Sequence, residues 1–379
     1  METQKMRTLR LKILLILAVI VFSVGGCADN DRSMDLENVP IEHETEFGGC
    51  YIKITISDFL DLGYRFGDSV RVEFSNGYVL ESLPFYSGYY VGEEEMLLVG
   101  YPGYPYIKVA VYNGEDFWDD AGLTESDTAS ISLNEVGRYS AIQDARDVHQ
   151  TTDRSEYDSD EIFANFRSIS GGRLKENLIF RSSSPCDNTY GRAAYADALL
   201  EKNGIKLIVN MSDTEESLQQ HIQDSSPSAY FMNLYENGKI LLPVINTRYG
   251  TDEIKHKIAE VMRTVSKEEG PYLFHCSLGK DRTGFVCLLL EMLAGATYEE
   301  MLDDYMLTYD NFYHISPHNE PEKYKIVIDE SFTELLHYLV RDERVDLQTA
   351  DLAPYAETYL KEGGMSDMEL EALKAAIMN

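Results

Sequence analysis

The hydrophobic pattern changes period partway along the chain. From Phe47 to about Leu133 apolar residues alternate with polar ones, as in Tyr51-Ile-Lys-Ile-Thr-Ile, Val70-Arg-Val-Glu-Phe and Ile107-Lys-Val-Ala-Val-Tyr. A period of two places successive side chains on opposite faces of a strand. Asn-Gly, Ser-Gly and Tyr-Pro-Gly-Tyr turns separate these runs. Residues 46–137 are therefore predicted to form a small all-β barrel or sandwich. Two phrases, Leu62-Gly-Tyr-Arg-Phe-Gly-Asp-Ser-Val and Gly122-Leu-Thr-Glu-Ser-Asp-Thr-Ala-Ser-Ile, each set a turn before an alternating strand, which fits an internal duplication.

From Leu178 onward the pattern is different. Short continuous apolar runs, Leu178–Ser182, Ile205–Met211, Ile240–Ile245 and Tyr272–His275, read as buried strands. Between them lie helical segments, Arg192–Asn203 and Asp252–Lys267, the second with Ile254, Ile258, Val261, Met262 and Val265 on one stripe. Helices are predicted again at 284–294, 297–312, near 326–341, at Ala356–Glu362 and at Asp367–Met378. The polar passage 138–177 reads as a segment wrapping this core. The fold class expected for 138–379 is α/β, a parallel-rich sheet flanked by helices, preceded by the β domain.

One strand runs directly into chemistry. Tyr272-Leu-Phe-His-Cys276-Ser-Leu-Gly-Lys-Asp-Arg282-Thr-Gly284 is a strand, a five-residue loop bounded by cysteine and arginine, and the start of an apolar helix. Such a turn can aim the backbone N–H groups of Ser277, Leu278, Gly279, Lys280, Asp281 and Arg282 at one point, with the positive end of the helix behind them. Arg282 can hold two phosphate oxygens at once. Cys276 in that field is favoured as the thiolate, the nucleophilic form. Thr283 is placed to hydrogen-bond the sulfur, and His275 to buttress the loop through backbone contacts.

At these residues the chain resembles the cysteine-dependent tyrosine and dual-specificity phosphatases, and its Gly-Lys-Asp-Arg loop is similar to that of the bacterial atypical tyrosine phosphatases. The resemblance covers roughly residues 140 to 379. It implies a phosphomonoesterase working through a cysteinyl-phosphate without metal or cofactor. It also matches Arg181, in Phe-Arg-Ser-Ser-Ser-Pro, to a recurrent arginine that braces the core. Such enzymes need a general acid for the leaving oxygen. The loop Asn246-Thr-Arg-Tyr-Gly-Thr-Asp252 offers only Asp252, which reads as a helix cap. Asp281 is the expected acid, with Asp213 in Asn210-Met-Ser-Asp as the alternative. Lys280 widens the substrate range, because relatives carrying it act on phosphotyrosine or on phosphoinositides.

The first residues address location. Lys5, Arg7, Arg10 and Lys12 precede Ile13–Phe22, an apolar stretch too short to span a bilayer, and Val24-Gly-Gly-Cys27 follows. This resembles a bacterial lipoprotein signal over 1–27, with Cys27 lipidated, an acidic linker over 28–45, and an extracytoplasmic, membrane-anchored location. The formal charge of −32 opposes nucleic acid as a partner and repels anions at long range. Of five cysteines, Cys287 reads as core, and Cys50 and Cys186 as free thiols; no metal-ligand spacing is present. The leading expectation is a phosphotyrosine phosphatase, with dual specificity open. The alternatives are a phosphoinositide or inositol-phosphate (phytase-like) phosphatase and, in a different class, an inactive phospho-binding surface lipoprotein.

Overall fold

Alternation closes into a barrel. In a computed structural model, which describes residues 35–379, seven strands form it: β1 (Leu36–His43), β2 (Cys50–Ile52), β3 (Ser69–Phe74), β4 (Val79–Tyr86), β5 (Met96–Val99), β6 (Ile107–Val111) and β7 (Thr128–Glu135). They run β1-β2-β6-β5-β4-β3-β7 and back to β1, and only β4 and β5 pair parallel. The inward residues Val70, Val72, Phe74, Leu83, Phe85, Leu98, Val109 and Ile131 fill the interior. Short helices α1 (Ile56–Asp61) and α2 (Phe117–Asp120) bring Phe59, Phe117 and Trp118 into that core.

The barrel begins earlier than the sequence led us to expect. Leu36–His43, assigned above to the acidic linker 28–45, is β1; it pairs with both β2 and β7 and buries Ile41. Its apolar positions were obscured by acidic neighbours and Pro40. The predicted signal segment, Cys27 and the start of the linker lie outside the described residues. Among the described residues no helix is long and apolar enough to cross a membrane.

The wrapping passage carries α3 (Ser140–Arg146), α4 (Asp160–Phe163) and the short β8 (Arg167–Ser168). Then come β9 (Ile179–Ser182), α5 (Ala193–Lys202), β10 (Leu207–Asn210), α6 (Glu215–Ser225), α7 (Ala229–Glu236), β11 (Ile240–Leu241), α8 (Asp252–Val265), β12 (Tyr272–His275), α9 (Asp281–Leu293) and α10 (Tyr298–Tyr313). The chain finishes with α11 (Pro321–Val327), a π-helical stretch Ile328–Thr333, α12 (Glu334–Val340), α13 (Ala353–Glu362) and α14 (Asp367–Ile377).

The second sheet has the order β11-β10-β12-β9-β8; β11, β10, β12 and β9 are parallel and β8 runs against β9. Residues of β9, β10 and β12 are buried throughout, because helices cover both faces. Helix α9 is buried continuously from Thr283 to Leu293, which marks it as the central helix of this layer. Ligands of such open sheets sit beyond the carboxyl ends of the strands. Here those ends are Ser182, Asn210 and His275, side by side.

Candidate active site

The loop after β12 is held from behind by backbone and by one arginine. Ser184 N–H donates to the Ser277 carbonyl at 3.1 Å, and Met211 N–H to the His275 carbonyl at 3.0 Å. Arg181 Nη2 donates to the Gly279 carbonyl at 2.8 Å, and Asn165 Nδ2 donates to the same oxygen at 3.4 Å. Gly279 has φ +69°, and a Cβ there would stand 2.1 Å from the Ser182 carbonyl oxygen, so only glycine fits.

With the Ser277 and Gly279 carbonyls engaged in this way, the N–H groups of the loop are left unclaimed. Among the described residues, no acceptor takes the backbone N–H of Ser277, Leu278, Gly279 or Lys280. The N–H groups of Asp281 and Arg282 open helix α9, where the first turn has no intrahelical partners. Arg282 reaches back across the loop: Nη1 donates to the Met211 carbonyl at 3.3 Å and Nη2 to Ser277 Oγ at 3.4 Å. Cys276, 3 % exposed, opens this loop directly after β12. The arrangement can seat a tetrahedral dianion above a sulfur nucleophile.

His275 is fully buried and its Nδ1 lies 3.3 Å from the Cys276 carbonyl, while Nε2 has no partner among the described residues. Burial pulls the imidazole down to about 4, so it is neutral at neutral pH and offers no positive charge to the sulfur. Thr283 was expected to bond that sulfur. Its Oγ1 is buried without a hydrogen-bond partner among the described residues, so the bond is not made here.

The two candidate acids differ in surroundings. Asp281 carries an exposed carboxylate at the loop's rim, 3.5 Å from Lys280 Nζ. Asp213, 3 % exposed, accepts from Asn210 Nδ2 at 2.8 Å and from Ser217 Oγ at 3.2 Å, and faces the His221 ring. The Lys280 ammonium stands 5.7 Å from the ring centres of Tyr309 and Tyr313. Burial opposes its charge, but Asp281 and the adjoining tyrosines hold it well above the ordinary lysine range.

Several residues the sequence did not single out complete the site. Tyr249 stacks on Phe285 at 3.8 Å, with planes 3° apart. Burial, then the Asp281 carboxylate and the Cys276 sulfur, push its phenol well above its usual range. Tyr305 on α10 is likewise raised by burial, then by Tyr309 and Asp281. Behind Arg181 stands Asp304, 2.5 Å from Arg181 Nη1 and 2.7 Å from Arg167 Nε. Burial alone would raise Asp304, yet the two guanidinium groups hold it below the usual carboxylate range. Only a tyrosine-rich α10 following the loop hints at these roles in the sequence.

Residues 161–379 match the tyrosine phosphatase family. Among solved structures, the chain is similar to the core catalytic domain of the PP-IP phosphatase SIW14 from S. cerevisiae in complex with citrate (16% identity, TM-score 0.25, 48% of this chain and 99% of that one). It is also similar to a structure of the Siw14 catalytic core (17% identity, TM-score 0.25, 48% and 98%). No curated protein matches the chain.

Proposed function

The chain belongs to the tyrosine phosphatase family and is a phosphoric monoester hydrolase, and from that premise we propose that it hydrolyses phosphotyrosine through a cysteinyl-phosphate on Cys276. The observation that carries this reading is the set of unclaimed N–H groups from Ser277 to Lys280, on a loop bounded by Cys276 and by an Arg282 that reaches back to Ser277 Oγ. In the first step Cys276 Sγ attacks phosphorus, the P–O bond to the leaving group breaks, and Asp281 supplies the proton that oxygen needs. In the second, Asp281 takes a proton from water as its oxygen attacks phosphorus, and the P–S bond breaks. Arg282 and the loop N–H groups hold the equatorial oxygens throughout.

The phosphotyrosine assignment rests on what stands around the loop. Asp281 lies near enough to Tyr249, Tyr305 and Tyr313 to raise their phenols, and the Lys280 ammonium stands 5.7 Å from the Tyr309 and Tyr313 ring centres, an aromatic surrounding that suits a phenyl ester. Lys280, the cation that would favour a second phosphate, is engaged by tyrosine rings and Asp281. The test is phosphate release in the presence of a chelator, with Cys276→Ser beside the parent. The panel holds a phosphotyrosine peptide, a phosphoserine peptide, a phosphoinositide and inositol hexakisphosphate. Turnover confined to phosphotyrosine and abolished by the serine supports the reading; preference for an inositol phosphate replaces the substrate. Phosphate binding without turnover on any substrate reduces the chain to a recognition module.

The same proposal places the enzyme outside the cytoplasm on a lipid at Cys27. Metabolic labelling with a fatty acid should mark the parent chain and not Cys27→Ser, and equal labelling of both would refute it.

A further inference from the structure

Three side chains of metal-ligating type meet behind the phosphate loop, on parts of the chain that the sequence keeps apart. Cys186 follows β9, Asp213 follows β10, and His221 lies on α6; their donor atoms all fall within 4.8 Å of one another. Cys186 is fully buried and Asp213 is 3 % exposed. His221 Nδ1 stands 3.2 Å from Asp213 Oδ1. Donors held about 2.0–2.1 Å from a tetrahedral zinc ion stand roughly 3.3 Å apart, so this edge already has the required length.

A second observation separates this cluster from an ordinary ion pair. His221 Nδ1 is buried and, despite its closeness to the carboxylate, has no hydrogen-bond partner among the described residues. A protonated ring paired with Asp213 would be expected to aim its N–H along that vector. The carboxylate is meanwhile fixed by other groups, Asn210 Nδ2 at 2.8 Å and Ser217 Oγ at 3.2 Å, as outer-shell partners orient a metal ligand. Asp187 Oδ1 lies 3.9 Å from the other ring nitrogen, Nε2.

We propose that Cys186, Asp213 and His221 form a binding site for a divalent, zinc-like cation, with the fourth position left to water. A thiolate, an imidazole and a carboxylate are a donor set that suits zinc and do not suit magnesium or calcium. On binding, the Cys186 thiol releases its proton to solvent and the sulfur binds the metal. The ion takes no part in hydrolysis. It braces the loop from behind, since the Ser184 N–H beside Cys186 holds the Ser277 carbonyl.

The test is titration of the full chain, in detergent, with cobalt(II) and then zinc, read by absorption. One equivalent of cobalt should give a near-ultraviolet thiolate charge-transfer band and the visible bands of a tetrahedral ion, both bleached by zinc. Cys276→Ser should keep the bands and Cys186→Ser should lose the charge-transfer band. His221→Ala should weaken binding by at least the about 10–100-fold that even outer-shell losses cost. His221 is 26% exposed, so this second variant keeps the test open if the buried cysteine change unfolds the chain. Zinc should also raise the melting temperature of the parent and not of His221→Ala. No cobalt band, or a band that follows Cys276, overturns the proposal and leaves His221 and Asp213 as an ion pair. Because the readout is spectroscopic, it stands apart from any failure of the phosphatase assay.

Discussion

Gly279→Ala tests whether the loop's shape depends on its contact with β9. An alanine Cβ would lie 2.1 Å from the Ser182 carbonyl oxygen and 2.4 Å from its carbon, both backbone atoms in a buried strand. Real contacts begin near 3.0 Å, so loop and strand must part by roughly 0.9 Å. That movement stretches the 2.8 Å bond from Arg181 Nη2 to the Gly279 carbonyl. The left-handed backbone at φ +69° costs an L-residue about 1–2 kcal/mol. Losing a hydrogen bond to a charged donor costs about 1.5–3 kcal/mol more. The sum, about 2.5–5 kcal/mol, corresponds to a fall in melting temperature of roughly 5–20 °C for a domain of this size. A loop displaced by nearly 1 Å also misplaces its N–H groups, which costs on the order of 100-fold in turnover. Thermal melting and steady-state phosphate release on the same preparation measure both. An alanine variant that melts with the parent and turns over within about threefold would refute the argument.

Four further outcomes follow from particular side chains. Asp304→Asn leaves Arg167 and Arg181 buried without their counter-ion and should destabilise by about 3–5 kcal/mol in urea unfolding; a midpoint unchanged from the parent would refute this. Glu291 is fully buried, and burial followed by Asp304 pushes its carboxyl well above the ordinary range. A carboxyl raised in the folded state contributes stability below its unfolded pKa, about 4.3, and loses it as pH rises toward the folded value. Glu291→Gln should therefore flatten the fall in stability from pH 4.3 upward, and parallel profiles would sink the assignment. Asp281→Asn should lower turnover about 10²–10⁴-fold with a phenyl phosphate of poor leaving group and far less with a good one; equal losses on both would exclude Asp281 as the acid. With a charge of −32, repulsion of an anionic substrate is screened as the Debye length shrinks from about 30 Å at 0.01 M salt to about 10 Å at 0.1 M, so kcat/KM should rise over that range; a fall would show local attraction in control.

What the sequence made legible is what lies contiguous along it. Cys276 to Arg282 is one loop between one strand and one helix, so spacing alone placed both groups around the same point. The alternation in Val70–Phe74 and Ile107–Val111 survived folding because each strand has one face in the barrel core. Leu36–His43 was missed because half of β1 is exposed and acidic, which is also how linkers read. Helix α6 was passed over for a similar reason. In Glu215–Ser225 only Leu218 is buried, so the apolar stripe is almost absent, and the capping box at Thr214 carries the signal instead.

The parts that escaped reading are those whose partners lie far away in the chain. Asp304 is 123 residues from Arg181 and 137 from Arg167, yet its two oxygens hold both guanidinium groups, and one of them holds the Gly279 carbonyl. Nothing local distinguishes Asp304 from Asp303 beside it; only the helical phase of α10 turns one of them inward. Asp213 shows the converse. Its place after a strand made it a candidate acid, and the groups that hold it are Asn210 and Ser217 nearby and His221 one turn further on. A cluster such as Cys186, Asp213 and His221 leaves no spacing signature because parallel strands bring their carboxyl ends together whatever the sequence distance between them. The topology that sets Cys276 at the end of β12 therefore also sets the loops after β9 and β10 against its back, so the chemistry of the loop and its support are fixed by one sheet.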